Sequence, residues 1–334
     1  MLTQDQLLEK INAAIDKLRY NEKPDALYEP VRYALSLGGK RIRPVLMLMA
    51  YQLYRFDVDT IIPQALALET YHNFTLLHDD VMDRAEVRRG KPCVHKVWGD
   101  NAAILSGDAM LILAYRLMTE QRTSDDEEVW VNPSALTDAL QTFTEATLGV
   151  CEGQQYDIDF ERRDDVSVEE YMEMIRLKTS LLLGCALKIG AQLAGANAAD
   201  AQSLYNFGEK VGLAFQLQDD LLDVYGNPVI FGKKIGGDIL CNKKTFMLLS
   251  TLQRADTGLR KQLETWLKAE TYDADEKIAA VRAIYDAVGI RRVCEQKIEE
   301  LFAEALRFLD SVSVGEVRTQ PLRDFAHRLM GRQS

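Results

Sequence analysis

The 334-residue sequence has few of the residues that interrupt secondary structure, with only 8 prolines and 20 glycines. Sparse turn residues favour long helices over many short strands. The sequence also lacks an apolar run long enough to span a bilayer. At the start of the chain, MLTQDQLLEKINAAIDKLRY, charged residues interrupt every apolar stretch, so we expect no signal peptide.

Paired cysteines and a basic surface are missing as well. The five cysteines are odd in number, lie far apart and include no C-x-x-C pair. This pattern predicts reduced thiols and a cytoplasmic protein. The formal net charge of −11 argues against a nucleic-acid partner, which needs a basic face, and against docking on an anionic membrane.

Apolar residues at helical spacing are abundant along the whole chain. Leu7, Ile11 and Ile15 form one such stripe, and similar stripes recur up to the last third of the sequence. Alternating runs rich in valine and isoleucine are almost absent. We therefore predict a single all-α domain over residues 1–334, with about a dozen helices. The predicted breaks between helices are Asn21–Asp25, Leu37–Lys40, Arg84–Gly99, Thr123–Pro133, Arg162–Ser167, Gly226–Asp238 and Val312–Gln320.

Two apolar helices end in the same acidic pattern, LLHDDVMD and LQDDLLD. On a helix Asp79 and Asp83 share one face, and so do Asp219 and Asp223. Like charges at this spacing destabilise a helix by a few tenths of a kcal/mol, roughly. They also lie late in their helices, where the helix dipole disfavours negative charge. Residues that destabilise their own helix often mark a functional site.

Carboxylate oxygens in this arrangement suit Mg²⁺. That ion keeps several waters and prefers one or two carboxylates together with phosphate oxygens. Two such helices facing each other would hold a cluster of Mg²⁺ ions, with room for a diphosphate between them. The alternative is two solvated acidic helix ends. Other acidic runs, at Asp125–Glu128 and Asp164–Asp165, are interpreted as solvated loops.

Basic residues accompany both acidic motifs. In GGKRIRP, Lys40, Arg41 and Arg43 lie where Pro44 signals a helix start. The helix dipole disfavours cations at a helix start. An anion bound there would be stabilised by the dipole and would neutralise these cations. The other basic candidates are Arg88 and Arg89 after the first motif, Lys233, Lys234, Lys243 and Lys244 after the second, and Lys178 in an apolar helix.

Two of these candidates have plain structural alternatives. Lys178, beside Thr179, could be a snorkelling side chain on an apolar helix. His72 lies on a mostly apolar helix, where a hydrogen-bonded core histidine is the ordinary case. It would reach an anion only if the helices converge.

In order along the chain, GGKRIRP, HNFTLLHDDVMDRAEVRRGKP, KTS, FQLQDDLLD and GKKIGGDILCNKKTF resemble the motifs of the trans-isoprenyl diphosphate synthases, also called polyprenyl synthetases. The resemblance implies an all-α isoprenoid-synthase fold with helices around a deep central cavity, and a homodimer. It implies head-to-tail condensation of isopentenyl diphosphate with an allylic diphosphate. It also implies Mg²⁺ as cofactor, with three ions in each active site.

The same resemblance assigns roles to individual residues. It implies Mg²⁺ ligation by Asp79, Asp83 and Asp219, with Asp80, Asp220 and Asp223 nearby or bound through water. It implies that Arg88, Lys178 and Lys243 hold the allylic diphosphate with help from Lys234, and that Lys40, Arg43, His72 and Arg89 hold isopentenyl diphosphate. Thr179 and Gln216 would face the allylic carbons, and Gln154 would lie near the cavity.

Residues just before the first acidic motif are expected to set product length. Phe74 lies five positions before Asp79, about 7.5 Å along the helix axis. In the family, a bulky residue there accompanies C15 to C20 products. Phe74 followed by the small Thr75, with Tyr71 one turn deeper, fits C20 (geranylgeranyl diphosphate) slightly better than C15 (farnesyl diphosphate). The alternative is that Phe74 only packs against a neighbouring helix.

Three other functions compete with this one. A terpene cyclase of the same fold would lack the isopentenyl site at Lys40, Arg43 and Arg89. A di-iron carboxylate bundle needs Glu-x-x-His on two helices, and the sequence offers only Glu69–His72. A non-catalytic subunit of a heteromeric prenyl synthase usually loses an acidic motif, whereas this chain keeps both.

Overall fold

The structure is a computed structural model that describes residues 1–18, 20, 22–121, 131–226 and 235–331. Its helices confirm the all-α prediction. They are α1 Gln4–Lys17, α2 Asp25–Ser36, α3 Ile42–Gln52, α4 Ile62–Met82, α5 Val94–Trp98, α6 Asp100–Met118, α7 Pro133–Phe160, α8 Val168–Ile175, α9 Leu181–Leu193, α10 Ala198–Tyr225, α11 Gly237–Leu240, α12 Phe246–Arg254, α13 Thr257–Leu267, α14 Ala274–Val288, α15 Ile290–Asp310 and α16 Glu316–Met330. No helix in the described ranges has both the length and the apolar character needed to cross a membrane.

Side-chain caps explain several helix starts. The Thr3 hydroxyl accepts the amide of Gln6, whose own side chain returns to the Thr3 amide. Ser167 and Glu170 form the same capping box before α8. Each box satisfies donors that the first helical turn leaves unpaired, so the helix begins at a defined residue.

The predicted breaks Leu37–Lys40 and Arg162–Ser167 agree with the helix ends. Most of Thr123–Pro133 and of Gly226–Asp238 lies outside the described residues, and α16 already begins at Glu316, inside the predicted break Val312–Gln320.

The segment 84–99, predicted as a break, is not irregular throughout. That segment contains the short helix α5 and an antiparallel strand pair, β1 Val87–Arg88 with β2 Lys91–Pro92. The two turn residues between the strands both have positive φ, 53° at Arg89 and 78° at Gly90. Such angles fit the two-residue turn that matches the twist of a hairpin. Two-residue strands are too short to show an alternating pattern, so the sequence did not reveal them.

The structure divides into two compact units. The first unit comprises Met1–Phe143 and Ala186–Gln202, and the second comprises Thr144–Cys185 and Ser203–Ser334. No observation tests whether residues 1–334 behave as one domain, so that remains a prediction.

Helix α4 forms the centre of the first unit. Every residue from Ile62 to Tyr71 is buried, and the helix packs most extensively against α6. The two helices approach closely near the end of α4, where a Cβ on Gly107 would lie 2.2 Å from His78 Nε2. His78 in turn lies 3.0 Å from the carbonyl of Ile104. These contacts fix the end of α4 against α6.

The second unit has its core between α8, α10, α12 and α15, around buried side chains such as Tyr171, Leu217 and Leu301. Between α8 and α9 lies a π-helical turn, Arg176–Ser180. Two glycines let neighbouring helices approach this turn. A Cβ on Gly153 would lie 2.4 Å from the Lys178 amide nitrogen, and one on Gly212 would lie 2.7 Å from Ser180 Cα.

Candidate active site

The first acidic motif forms the last turn of α4. Asp79 is partly exposed and Asp83 is exposed, whereas Asp80 points inward with 4 % of its surface accessible. Arg88 holds the Asp80 carboxylate, with Nε 2.9 and 2.8 Å from its two oxygens and Nη2 2.6 Å from Oδ1. The first and last aspartates of the motif therefore remain accessible, while the middle one is occupied by an arginine.

The hairpin that follows explains the divergent contacts of Arg88 and Arg89. Arg88 lies in β1 and binds Asp80, and Arg89 lies in the turn. The Arg89 guanidinium donates from Nη1 to the carbonyl of Gly38. Gly39 lies beside it, and a Cβ there would be 2.8 Å from Arg89 Cζ. A side chain at position 39 would displace the guanidinium from this place, and the backbone φ of 137° also favours glycine.

Four predicted isopentenyl-binding residues line one cavity of the first unit. The cavity has a volume of about 450 Å³, and its walls include Lys40, Arg43, His72 and Arg89. These residues come from three separate segments of the chain, namely the start of α3, the middle of α4 and the hairpin turn. The structure thus places these four residues around one cavity, and their binding of isopentenyl diphosphate remains a prediction.

The electrostatics of this cavity favour an anion. Burial lowers the pKa of Arg43 to about 10, and Arg89 repels the same charge. Burial also lowers the pKa of His72 well below its usual value, and the charges of Arg43 and Arg89 push it in the same direction. His72 is therefore a neutral imidazole among guanidinium groups. A bound anion would offset the mutual repulsion of these cations.

Glu69 also lines this cavity, and the motifs did not predict it. Its Oε1 lies 2.5 Å from Arg41 Nη1 and accepts a 2.9 Å hydrogen bond from Asn73. Both members of the ion pair are buried, and Arg41 has a left-handed backbone with φ 46°. Arg41 also donates to the carbonyl of Leu35. The pair anchors the segment between Lys40 and Arg43; the available signal was an acidic residue inside an apolar helix.

The second acidic motif forms part of the last third of α10 in the second unit. Asp219 and Asp223 are partly exposed, whereas Asp220 is 2 % accessible. The Tyr171 hydroxyl donates to Asp220 Oδ2, and Gln216 Nε2 donates to Oδ1 at 3.2 Å. Burial raises the pKa of Asp220 to about 7. The two motifs therefore share one arrangement, with an inward middle aspartate and outer aspartates that are more accessible.

Lys178 and Thr179 lie in the π-helical turn. Lys178 Nζ is 2.6 Å from Asp157 Oδ2, and both groups are partly exposed. The turn is wound more widely than an α-helix, and the amide of Leu181 bonds to the carbonyl of Arg176. Single π-turns of this kind occur frequently at functional sites. Gln154, on α7, follows the Gly153 that contacts this turn.

The segment after the second motif folds back onto it. The amide of Asp238 donates to Asp223 Oδ2 at 2.9 Å. Lys243 Nζ lies 3.6 Å from Asp238 Oδ1, and Lys244 Nζ lies 4.0 Å from Asp164. Lys243 is thus fixed close to the second motif. Lys233 and Lys234 lie outside the described residues.

The proposed product-length residues form an aromatic contact series in the first unit. The Tyr71 ring lies 5.4 Å from Phe74 and 5.6 Å from Phe143, and Phe74 lies 4.8 Å from the His78 ring. Tyr71 is buried, and Phe74 is only partly so. The Thr75 hydroxyl donates to the carbonyl of His72 at 2.8 Å. Phe74 therefore packs against neighbouring rings, and its role as a floor remains a prediction.

The aspartates of the two motifs do not form a preformed metal-coordination site in the structure. Among the residues that the structure describes, no three Asp, Glu, His or Cys side chains converge on one metal position. Mg²⁺ commonly takes one or two carboxylates and completes its shell with water and substrate phosphate. The accessible carboxylates at i and i+4 fit that kind of binding.

Comparison with known proteins identifies the relatives of this chain. The polyprenyl synthetase family matches residues 24–285. A geranylgeranyl diphosphate synthase of Methanosarcina mazei is 36 % identical over 274 residues, which is 82 % of this chain and 80 % of that protein. Curated relatives of 36 % and 35 % identity have the names (2E,6E)-farnesyl diphosphate synthase, from Mycobacterium bovis, and geranylfarnesyl diphosphate synthase, from Natronomonas pharaonis.

Solved structures agree with this result. A crystal structure of a geranylgeranyl pyrophosphate synthase superposes with a TM-score of 0.91 at 41 % identity and covers 100 % of both chains. The geranylgeranyl pyrophosphate synthase of Corynebacterium glutamicum, crystallised with isoprenyl diphosphate and magnesium, gives a TM-score of 0.79 at 28 % identity. That match covers 99 % of this chain and 97 % of the other.

Proposed function

Because the chain belongs to the polyprenyl synthetase family, we propose that it condenses isopentenyl diphosphate head-to-tail with an allylic diphosphate. It is a prenyltransferase of the short-chain type. The observation that carries the proposal is the cavity where Lys40, Arg43, His72 and Arg89 converge. Several positive charges that line one cavity fit the diphosphate group of isopentenyl diphosphate, which stays bound while the allylic diphosphate reacts.

The second unit supplies groups for the allylic diphosphate. Lys178 and Lys243 are paired with Asp157 and Asp238 through single, partly exposed carboxylates. Pairs of this kind contribute little to stability, so a diphosphate can displace them. The resemblance to the family adds Arg88 and Lys234 to this set.

The aspartates would hold Mg²⁺, and three ions would complete the site. Asp79, Asp83 and Asp219 would be the ligands, with Asp223 nearby. When bound, the ions would neutralise the departing diphosphate as Lewis acids. Asp80 and Asp220 would contribute mainly by fixing Arg88 and Gln216, because their carboxylates are already hydrogen-bonded inside the protein.

The reaction breaks one C–O bond and forms one C–C bond. The allylic C–O bond ionises, the alkene of isopentenyl diphosphate attacks the resulting cation, and a proton leaves to the released diphosphate. No nucleophilic side chain is needed. The backbone carbonyls of the π-turn at Lys178–Thr179 and the Gln216 amide oxygen would stabilise the cation through their dipoles.

Two features of the first unit support the proposals for product length and assembly. Phe74, with Tyr71 beneath it, would stop the growing chain at C15 to C20, with the C20 product favoured. Helix α6 exposes three large apolar side chains, Ile104, Leu105 and Ile112. An exposed apolar face of this kind suits a protein interface, and here it supports a homodimer. Five cysteines without disulfides fit a cytoplasmic location.

A product assay on the purified chain tests the proposal. Isopentenyl diphosphate with Mg²⁺ and dimethylallyl, geranyl or farnesyl diphosphate should yield longer linear prenyl diphosphates. A terpene cyclase would instead convert the allylic substrate alone into a hydrocarbon, and a non-catalytic subunit would leave all substrates unchanged. Either result would overturn the proposal.

A further inference from the structure

Lys277 on α14 is a charged residue with no exposed surface. Its Nζ lies 2.7 Å from Asn242 Oδ1 and 3.5 Å from the carbonyl of Leu240. It also lies 4.1 Å from the centre of the Tyr272 ring. All three partners are neutral. Burial lowers the pKa of the Lys277 ammonium.

A buried ammonium whose partners among the described residues are all neutral is costly, so its contacts need an explanation. A charge removed from water is normally balanced by an opposite charge. A methionine of similar length would fill the same space without that cost. Among the described contacts of Lys277, what a methionine could not supply is hydrogen bonding to the segment that follows α11.

That segment has an unusual backbone which the contacts of Lys277 hold in place. Asn242 adopts a left-handed conformation with φ 53°. Its side-chain oxygen accepts from Lys277, and its Nδ2 donates to the carbonyl of Leu267 at 3.0 Å. The Tyr272 hydroxyl donates to the carbonyl of Leu240 at 3.1 Å. The turn is therefore anchored from three positions on α13, α14 and the residues between them.

The next residue after this anchored turn is Lys243. Its amide donates to the carbonyl of Asp238 at 2.9 Å, and its ammonium lies 3.6 Å from the Asp238 carboxylate. The amide of Asp238 in turn donates to Asp223. The path from Lys277 to the second acidic motif is therefore short: a hydrogen bond to Asn242, the peptide bond to Lys243, and hydrogen bonds from Lys243 to Asp238 and from Asp238 to Asp223.

We propose that Lys277 is a positioning residue for the allylic-diphosphate half of the site. It holds Asn242 in its left-handed conformation and so fixes Lys243 and Asp238 beside the second acidic motif. Lys277 is buried and touches no substrate, so it acts through Lys243. This role rests on the function proposed for Lys243.

Amide hydrogen exchange tests the anchoring without any substrate. Lys277→Met should speed exchange across residues 238–245 by about tenfold or more, while exchange in the first unit stays unchanged. Lys261→Met, at an exposed position on α13, is the matched control and should leave the segment as in wild type. Unchanged exchange in Lys277→Met would overturn the proposal. If that variant does not fold, Asn242→Gly tests the same contact, because glycine tolerates the left-handed backbone but lacks the side-chain amide. It should speed exchange in the same residues, and unchanged exchange would overturn the proposal.

Kinetics test the link to Lys243. Lys277→Met should raise KM for the allylic diphosphate about tenfold and leave KM for isopentenyl diphosphate within about twofold of wild type. In a Lys243→Ala background the same change should have no further effect on the allylic KM. A fully additive loss, or equal loss for both substrates, would show a merely structural role. Wild type without transfer activity would refute the proposed function, whereas faster exchange would still support the anchor.

Discussion

Arg88 forms a bidentate ion pair with Asp80, the middle aspartate of the first acidic motif. The Asp80 carboxylate therefore already has its hydrogen-bond partners within the protein. Asp220 occupies the matching position in the second motif and is likewise hydrogen-bonded and buried. In each motif the aspartates that share a face at i and i+4 remain the accessible ones. The repulsion among the three aspartates of a motif is therefore reduced, because the middle carboxylate is hydrogen-bonded inside the protein and only the outer two face solvent.

This separation predicts opposite effects on stability for neighbouring aspartates. Asp80→Ala removes the partner of Arg88, and we expect the free energy of unfolding to fall by about 1–3 kcal/mol. Asp83→Ala removes a like charge from an exposed position, so it should leave stability unchanged or raise it by a few tenths of a kcal/mol, roughly. Urea denaturation without Mg²⁺ measures both. Equal losses in the two variants would contradict the assignment.

Glu69→Gln tests the buried pair beneath the cationic cavity. The change leaves the Arg41 guanidinium buried without its counter-charge, and we expect a loss of about 3–5 kcal/mol in unfolding free energy. Glu29→Gln, at an exposed site on α2, is the control and should change stability little. Chemical denaturation gives the comparison. A Glu69 variant as stable as the control would show that the pair does not anchor this segment.

His72 predicts a specific pH dependence of stability. Because its folded pKa lies well below the ordinary value of 6.5, below that pH the unfolded chain binds a proton that the folded chain does not. Wild-type stability should therefore fall relative to His72→Gln as pH drops below 6.5, with a slope approaching about 1.4 kcal/mol per pH unit. Above that pH the difference should be constant. His327→Gln, an exposed control, should show no such trend; parallel curves for wild type and His72→Gln would refute the burial of a neutral imidazole.

Phe74→Ala tests the floor of the cavity. Removing the ring opens space beside Tyr71, and the main product should become longer by one or more C5 units. Chromatography of the dephosphorylated lipids measures this directly. Phe56→Ala, an exposed phenylalanine of the first unit, should leave the distribution unchanged. Identical products from wild type and Phe74→Ala would show that the ring only packs between helices.

The sequence predicted the helices and most of the candidate residues because their signals are local. Periodic apolar residues predicted the all-α fold, and the spacing of Asp79 and Asp83 predicted a shared face. The ion pair of Arg41 with Glu69 joins residues far apart in sequence, so no local pattern could show it. The π-turn around Lys178 was also invisible, since its apolar pattern is the same as that of an ordinary helix.

The central claim is best tested by incubating the purified chain with farnesyl diphosphate, isotopically labelled isopentenyl diphosphate and Mg²⁺, and by measuring the mass of the prenyl product. The account predicts a C20 diphosphate that contains one labelled C5 unit, and it predicts that Arg43→Met, which removes a cation from the isopentenyl cavity, sharply reduces the yield at low isopentenyl diphosphate. A wild-type chain that incorporates no label with farnesyl diphosphate, and none with geranyl or dimethylallyl diphosphate in its place, would contradict the account.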